Sequence, residues 1–309
     1  MSLVAVDGRA VASLAPDAWR DLERRHEERA DAMTRAHRER AARGERHPVM
    51  DFLFRYYGYK PALLRRWHPG ADVILQGAGD TERSSWRWYR RADSAEDLVV
   101  DADGFRGQKA ALIGGIHALL VATSRRRPRF GCFGLHEWAM VYRSPDIRHD
   151  IPLRLGRAAT DAVVESSDLA CTHFDAYRFF TPAAAPRNPF PLTRDTQLDT
   201  EQPGCLHAGM DLYKWAVKLG PLVPGELLLD CFELARDIRE IDMRASPYDL
   251  TDWGYAAIAI ETAAGKADYG RRQQIFAERG AGLRGCLIEI ASHTSRRTPK
   301  GPKDIPHTA

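Results

Sequence analysis

Residues 204–243 read GCLHAGMDLYKWAVKLGPLVPGELLLDCFELARDIREIDM, and this stretch decides the fold class. The apolar positions of its second half lie four, three, four and three residues apart: Leu227, Cys231, Leu234, Ile238 and Ile241. A stripe with this spacing is typical of an amphipathic helix that packs on a core. Gly220 and the Pro224-Gly225 pair interrupt the stretch. We therefore expect two consecutive helices, at 204–219 and 225–243.

Residues 16–43 predict a long, charged helix near the start of the chain, beginning at Pro16 and ending by Gly44. Arginine and glutamate fill most of it, and apolar anchors such as Trp19 and Leu22 are few. A helix of this composition lies across the body of a protein or contacts a second copy. A homodimer through this helix is therefore one expectation.

The positions of glycine and proline and the spacing of apolar residues predict shorter helices and strands elsewhere. They are short helices at 47–70, short strands at 73–75 and 86–89, helices at 105–124 and 133–143, and a helical stretch at 250–294 interrupted near Gly265 and Gly280. Residues 169–181 alternate well enough for a strand but equally fit a helix end, and residues 182–203 predict a long proline-rich loop. The expected fold is mainly α, a multi-helix globular bundle with a few short strands.

Composition limits the cellular setting and the domain plan. No apolar run approaches the roughly 20 residues that span a bilayer, and Asp7 and Arg9 interrupt the apolar N-terminus. The five cysteines are scattered and odd in number, which favours reduced thiols. We expect a cytoplasmic protein without membrane contact. Its predicted segments are an N-terminal arm and charged helix at 1–46, one helical catalytic domain at 47–294, and a disordered basic tail at 295–309.

Three short segments each place a histidine beside a cysteine and a carboxylate: CFGLHE at 132–137, CTHFD at 171–175 and CLHAGMD at 205–211. In a helix, His207 and Asp211 would share one face, and in a strand His173 and Asp175 would point the same way. The spacing therefore permits one convergent site. The candidate catalytic residues are His136, Glu137, His173, Asp175, His207, Asp211 and Asp237.

Two chemistries suit such a site, and both stay open. Histidines and carboxylates with tuned pKa values transfer protons. The same groups bind zinc or iron with a position left for water. The chain has no standard zinc spacing, neither HExxH nor a paired CxxC. It also has no P-loop, no GxGxxG and no GxSxG elbow, which disfavours nucleotide hydrolysis at a Walker site, Rossmann redox chemistry and α/β-hydrolase chemistry. Alternatively, each histidine is separately hydrogen-bonded in a helical core.

The helix predicted at 225–243 carries acidic residues beside its apolar stripe, of which Asp237 is the best candidate to face a pocket. The alternative for Asp237 is an ion pair on a solvated surface. The turn that follows contains Arg244 and Tyr248. Because a guanidinium matches the geometry of phosphate and carboxylate groups, Arg244 is a candidate substrate clamp.

Several of these stretches resemble one known family. They are HPVMDFLFRYYGYKPALLRRWHPG at 47–70, CFGLHEWAMVYR at 132–143, CTHFDAYRFFT at 171–181, EQPGCLHAGMDLYKW at 201–215 and ELARDIREIDMRASPYD at 233–249. Together they are similar to bacterial, chiefly actinobacterial, proteins labelled 3-methyladenine DNA glycosylase. The resemblance implies a DNA or modified-nucleobase partner, a catalytic carboxylate at Asp237, and base-stacking faces at Trp138, Tyr213 and Trp215.

Three functional hypotheses follow. The first is a hydrolase-type enzyme, a DNA N-glycosylase that releases alkylated purine bases. The second is a metal-dependent helical-bundle enzyme that uses zinc or iron on a small molecule. The third is a non-catalytic interaction protein built around the charged N-terminal helix.

Overall fold

The computed structural model describes residues 2–6, 9–145 and 151–292 of the chain. The α-helices within these ranges are α1 (Pro16–Ala42), α2 (Phe52–Tyr56), α3 (Pro61–Leu64), α4 (Ala102–Gln108), α5 (Ala110–Ser124), α6 (Leu135–Ala139), α7 (Gly156–Glu165), α8 (Phe174–Tyr177), α9 (Gln197–Thr200), α10 (Leu206–Leu219), α11 (Gly225–Arg244) and α12 (Ala263–Ser292). The strands there are β1 (Ser2–Val6), β2 (Arg9–Leu14), β3 (Val73–Leu75), β4 (Tyr89–Arg91) and β5 (Leu98–Val100). The predicted mainly α fold is confirmed, and the predicted tail at 295–309 lies outside the described residues.

Helices α10 and α11 form the centre of the protein, as their apolar stripe predicts. Gly220, with φ of +56°, ends α10, and the chain turns through Pro224 into α11. The two helices approach closely at Gly209, where an added Cβ would lie 2.9 Å from Cδ1 of Ile238. Most of α11 is buried, because other helices cover it on both sides.

Helix α12 runs unbroken for 30 residues, so the predicted interruption near Gly280 is wrong. The predicted helical stretch is interrupted before Gly265, because residues 254–262 are not helical and α12 begins at Ala263. Both glycines serve close packing instead. A Cβ at Gly280 would touch Leu212 of α10 and Leu234 of α11 at 3.6 and 3.7 Å. A Cβ at Gly265 would collide with the carbonyl oxygen of Ala259, which crosses beside the start of the helix. Helix α5 packs along another side of α12.

Helix α1 lies across the body of the protein, packed against α3 and α11. Its buried residues are spaced along one face: Trp19, His26, Ala30 and Thr34. Arg29 on this helix forms ion pairs with Asp230 and Glu233 of α11, at 2.7 and 2.8 Å. A dimer through α1 stays a prediction.

The strands form one five-stranded sheet in the order β1-β2-β3-β5-β4. Strand β2 pairs in parallel with β3, and the other neighbours are antiparallel. The sheet therefore joins the first residues of the chain to residues 73–100. The predicted domain division at residue 46 stays a prediction.

The local predictions differ from the structure at further places. The second predicted strand begins at Tyr89 and not at Trp86, and the predicted loop at 182–203 contains α9. The helix predicted at 105–124 is two helices, because the chain bends at Lys109 between α4 and α5. Of the two alternatives for residues 169–181, the strand is wrong, since residues 169–173 are irregular and lead into the short helix α8. Within the described ranges, every helix is too short or too polar to cross a membrane.

The start of α11 gives a test of the packing at its N-terminus. A Cβ at Gly225 would lie 2.6 Å from Cδ1 of Trp67 and 2.7 Å from Nδ1 of His26. Both rings are buried, so we expect Gly225→Ala to lower the free energy of unfolding by about 1–3 kcal/mol in urea titrations. Gly282→Ala is the matched control, because its helical position is open and the change should stabilise slightly. An equal effect of the two changes would contradict this packing.

Candidate active site around three histidines

The three histidines singled out in the sequence lie together. His136 is in α6, His173 immediately precedes α8, and His207 is in the first turn of α10. The ring centroids of His136 and His207 are 4.5 Å apart, and those of His173 and His207 are 5.4 Å apart. The central imidazole is therefore that of His207.

Local backbone features bring the outer two histidines to this point. Gly134, with φ of +74°, precedes α6, and a Cβ there would lie 3.3 Å from Ala245 and from Tyr269. The side-chain amide of Asn188 holds the irregular chain before His173. Its oxygen accepts a hydrogen bond from the backbone N–H of Cys171 at 2.9 Å, and its nitrogen donates to the Cys171 carbonyl at 3.1 Å.

His136 forms a buried ion pair with a residue that the sequence analysis did not select. Its Nε2 donates to Oδ2 of Asp242 at 3.0 Å, and Tyr269 donates to the other carboxylate oxygen at 3.3 Å. The Sγ atom of Cys132 lies 3.4 Å from the other ring nitrogen of His136. Burial acts to lower the pKa of His136, but the charge and hydrogen bond of Asp242, together with the neighbouring Cys132, outweigh it and raise that pKa well above its usual range.

His207 has the opposite electrostatic character. Burial lowers its pKa to about 3, and the neighbouring His136 acts in the same direction. A neutral imidazole carries a free lone pair on one ring nitrogen. His207 can therefore act as an acceptor or as a metal ligand at neutral pH.

His136, His207 and Asp242 together form a candidate metal site. One ligand atom from each of them can be chosen so that all three lie within 4.8 Å of one another. Two imidazoles and one carboxylate are a common donor set for catalytic zinc and for non-haem iron(II). Tyr269, which hydrogen-bonds Asp242, would orient that carboxylate from outside the set.

A second group of charges surrounds His173, whose side chain is 1% exposed. Its Nε2 lies 3.4 Å from a carboxylate oxygen of Glu201 and 3.4 Å from one of Asp211. Tyr57 donates to Asp211 at 3.2 Å. Burial opposes ionisation of Asp211, but His173 and Lys214 outweigh it and hold its pKa well below the usual range.

Lys214 joins this group to Asp175. Its ammonium donates to Asp175 at 3.0 Å and to Asp211 at 2.9 Å. Arg178 and Arg194 also pair with Asp175, at 3.3 and 3.0 Å. Burial would raise the pKa of Asp175, but the positive charges, Lys214 first among them, lower it. The carboxylate therefore stays charged at neutral pH.

Glu137 pairs with Arg239 of α11, and both line a cavity of about 110 Å³ beside His207. The Glu137–Arg239 distance is 3.1 Å, and the guanidinium carbon lies 4.2 Å from the centre of the Phe52 ring. The apolar part of the lining comes from Phe52, Tyr56, Met140 and Phe179. Asp175 completes the polar part. The cavity thus combines aromatic walls with ionised groups.

Larger cavities of about 390 and 710 Å³ lie elsewhere in the described protein, around Trp86. Neither contains a residue of the histidine cluster. Volume alone therefore does not identify the site, and the convergence of ionisable groups favours the smaller cavity.

Asp237 lies away from the cluster, where it pairs with Arg279 and Arg236 on the outer side of α11. Arg244 closes the end of that helix, donating to the Ala256 carbonyl at 2.9 Å and to Glu240 at 3.3 Å. The structure thus gives both residues partners at the protein surface.

The aromatic candidates do not line the cavity beside His207. Trp138 is buried in the core and donates to the Ala245 carbonyl at 2.9 Å. Tyr213 and Trp215 are also core residues, and Tyr213 packs edge-on against Tyr57. Tyr248 belongs to a small separate apolar cluster. The aromatic faces at the cavity are therefore other residues than those named from the sequence.

Four important site residues escaped the sequence analysis: Glu201, Lys214, Arg239 and Asp242. Only the sequence of α11 contains a pattern from which one of them could have been predicted. Asp242 lies four residues after Ile238 and continues the buried face of the helix, where an apolar residue is expected. A carboxylate at such a position must find a partner in the interior. Glu201 and Lys214 have no comparable local signal.

Comparisons with protein-family models, curated protein sequences and solved structures found no match for this chain. The resemblance to the glycosylase-labelled family stays a prediction.

Lys214 gives a test of the charge balance. Lys214→Met leaves two buried carboxylates without their shared cation, so we expect a loss of about 3–5 kcal/mol in the free energy of unfolding at pH 7. The pKa values of Asp175 and Asp211 are lowered in the native protein, so their stabilisation is present at neutral pH and lost in acid. The difference in the free energy of unfolding between the variant and the native protein should therefore become smaller below about pH 4.

The control is Lys218→Met, an exposed position one turn further along α10. Urea titrations at neutral and acid pH measure both variants. Equal losses for the two lysines, or a loss at Lys214 that does not change with pH, would contradict the charge network.

Proposed function

We propose that the protein is a metal-dependent hydrolase of a small molecule, with Zn²⁺ or Fe²⁺ held by His136, His207 and Asp242. The single observation that carries the proposal is the approach of three ligand atoms to within 4.8 Å of one another. These residues lie in three different helices, so this arrangement depends on the tertiary fold.

The surroundings suit a catalytic ion rather than a structural one. Structural zinc sites are closed by four protein ligands, whereas catalytic sites keep a position open for water or substrate. The proposed set has three ligands, and one of them, His207, lines the cavity. A substrate in that cavity would therefore lie next to the ion.

A bound ion would polarise a substrate oxygen and lower the pKa of water. Glu137 and Asp175 line the same cavity and offer carboxylates that can accept a proton. Arg239 holds Glu137 at 3.1 Å. Asp175, in contrast, is surrounded by three cations, so Glu137 is the better candidate for the general base.

The charged group of His173, Glu201 and Asp211 packs beside the proposed metal site. His173 packs beside His207 and lies between Glu201 and Asp211. Because these charges are buried and paired, the imidazole of His207 is held in a fixed place. His173 is therefore a positioning residue in this proposal.

The first test is metal analysis of the purified protein after incubation with Zn²⁺ or Fe²⁺ and removal of excess. We expect about one ion per chain. His207→Ala and Asp242→Asn should lose it, because each removes a ligand, and His173→Gln should keep it. His117→Ala, a half-buried histidine on α5, is the control. A chain that retains no ion, or variants that bind like the native protein, would refute the proposal.

A DNA N-glycosylase is the second candidate, favoured by one feature of the same cavity. Aromatic rings of Phe52, Tyr56 and Phe179 line it together with the Asp175 carboxylate. Such a lining suits a flat base and a developing positive charge on its sugar. This function requires no metal ion.

The two candidates are separated by assaying release of alkylated purines from DNA with chelator-treated protein. If the protein is a glycosylase, base release should persist without metal and fall at least about a hundredfold in Asp175→Asn. His207→Ala should then affect it less than Asp175→Asn. Absence of base release, with one bound ion per chain, would leave the metal-dependent hydrolase.

A further inference from the structure

We propose that the substrate of this site is a small molecule that carries an oxyanion, a phosphate or carboxylate group, and that Arg239 binds this group. The inference rests on the proposed metal-dependent function, because it assigns the substrate class of the same cavity. It is carried by the geometry of Arg239 and by the charges around the cavity.

Arg239 is an interior arginine whose hydrogen-bonding capacity is only partly used. Its side chain is 3% exposed, and Nη1 donates to Glu137 at 3.1 Å. The Nε atom has no hydrogen-bond partner among the described residues. Buried polar groups are nearly always hydrogen-bonded. Arg239 differs from the other described arginines with an unpartnered Nε in lining the cavity beside His207, so its free N–H is available to an acceptor bound there.

The guanidinium is also held in a defined position. Its carbon lies 4.2 Å from the centre of the Phe52 ring, and the Glu137 carboxylate holds its Nη1 side. A guanidinium presents its donors in a planar fork that matches carboxylate and phosphate oxygens. Arg239 therefore offers a pre-formed anion-binding group that need not reorder on binding.

The charges nearby favour an anion as well. Asp175 lines the cavity and pairs with Arg178 and Arg194, whose side chains are 42% and 58% exposed. One carboxylate thus faces two arginines at the solvent side, besides the Lys214 that it shares with Asp211. The lining itself carries two carboxylates, Glu137 and Asp175, and one guanidinium, Arg239. The positive excess lies outside it, where two arginines face one carboxylate, and it raises the local concentration of anions at that side.

A metal ion would add to this preference. Binding of the ion would displace the proton of His136. Two neutral imidazoles and one carboxylate would then leave a divalent ion with a net charge of about +1. An anionic group between the ion and Arg239 would balance that charge. The oxyanion is therefore placed beside His207 and against the unpaired Nε of Arg239.

The experiment is calorimetric titration of inorganic phosphate, and separately of acetate, into the full chain with and without bound metal. Removing Arg239 alone would leave Glu137 buried without a partner, so the variants are Glu137→Gln/Arg239→Gln and Arg239→Lys. Arg236→Gln on the same helix is the matched control, because Arg236 pairs with Asp237 and Glu233 on the outer side.

We expect saturable binding of phosphate, acetate or both to the native protein. The anion that binds more tightly identifies whether the substrate group is a phosphate or a carboxylate. The double variant should weaken that binding at least about tenfold, because a charge-assisted hydrogen bond is lost. The anion affinity of Arg239→Lys should lie between those of the native protein and the double variant, because lysine keeps the positive charge but lacks the planar pair of N–H donors. Arg236→Gln should bind as the native protein does.

The inference is overturned if the native protein binds neither anion, or if the double variant, with native circular dichroism, binds as tightly as the native protein. Failure of the metal proposal gives a different result. In that case no ion is retained, while anion binding still depends on Arg239. Conversely, the protein could retain one ion per chain and bind the anion equally well with and without Arg239. That result would refute only the role of Arg239 and leave the metal proposal standing.

Discussion

The burial of Asp242 is the constraint on which the site depends. This carboxylate is 0% exposed and lies between the buried Ile241 and Met243, near the C-terminal end of α11. Desolvating a carboxylate is costly unless a partner ion and hydrogen bonds compensate it. His136 of α6 and Tyr269 of α12 supply both, at 3.0 and 3.3 Å. Asp242 thus joins three helices at one point. It acts together with the Glu137–Arg239 ion pair and the Trp138–Ala245 hydrogen bond, which also hold α6 to α11 and the residue that ends it.

His207 is placed between two separately balanced charge groups. On one side lie His136 and Asp242, and on the other lie His173 with Glu201 and Asp211. Each flanking histidine has carboxylate partners, whereas His207 has none as close among the residues that the structure describes. Its low pKa follows from burial first and from the neighbouring His136 second. The arrangement leaves the one imidazole that borders the cavity neutral, and it is the side chain best prepared to bind a ligand.

The irregular segments around the histidines are held by buried amide side chains in place of secondary structure. Gln202 accepts from the backbone N–H of Arg129 at 2.8 Å and donates to its carbonyl at 3.2 Å. Asn188 does the same for Cys171. Gln273 of α12 donates to the Gly204 carbonyl. Interior backbone groups without a sheet or helix must find other partners, and these amides provide them. The loop can therefore carry Glu201 and His173 at defined positions.

The sequence by itself determined the helices that rest on local periodicity. The bounds of α1 follow from Pro16 and Gly44, and those of α10 and α11 follow from apolar spacing, Gly220 and Pro224, because these signals act within a few residues. The sequence also singled out His136 and His207 by their neighbours. Only the tertiary structure decided that the histidines meet, since the partners His136 and Asp242 are 106 residues apart. It also decided that residues 169–173 are not a strand and that Asp237 faces outward. Long-range packing and charge pairing set these features, and no local pattern encodes them.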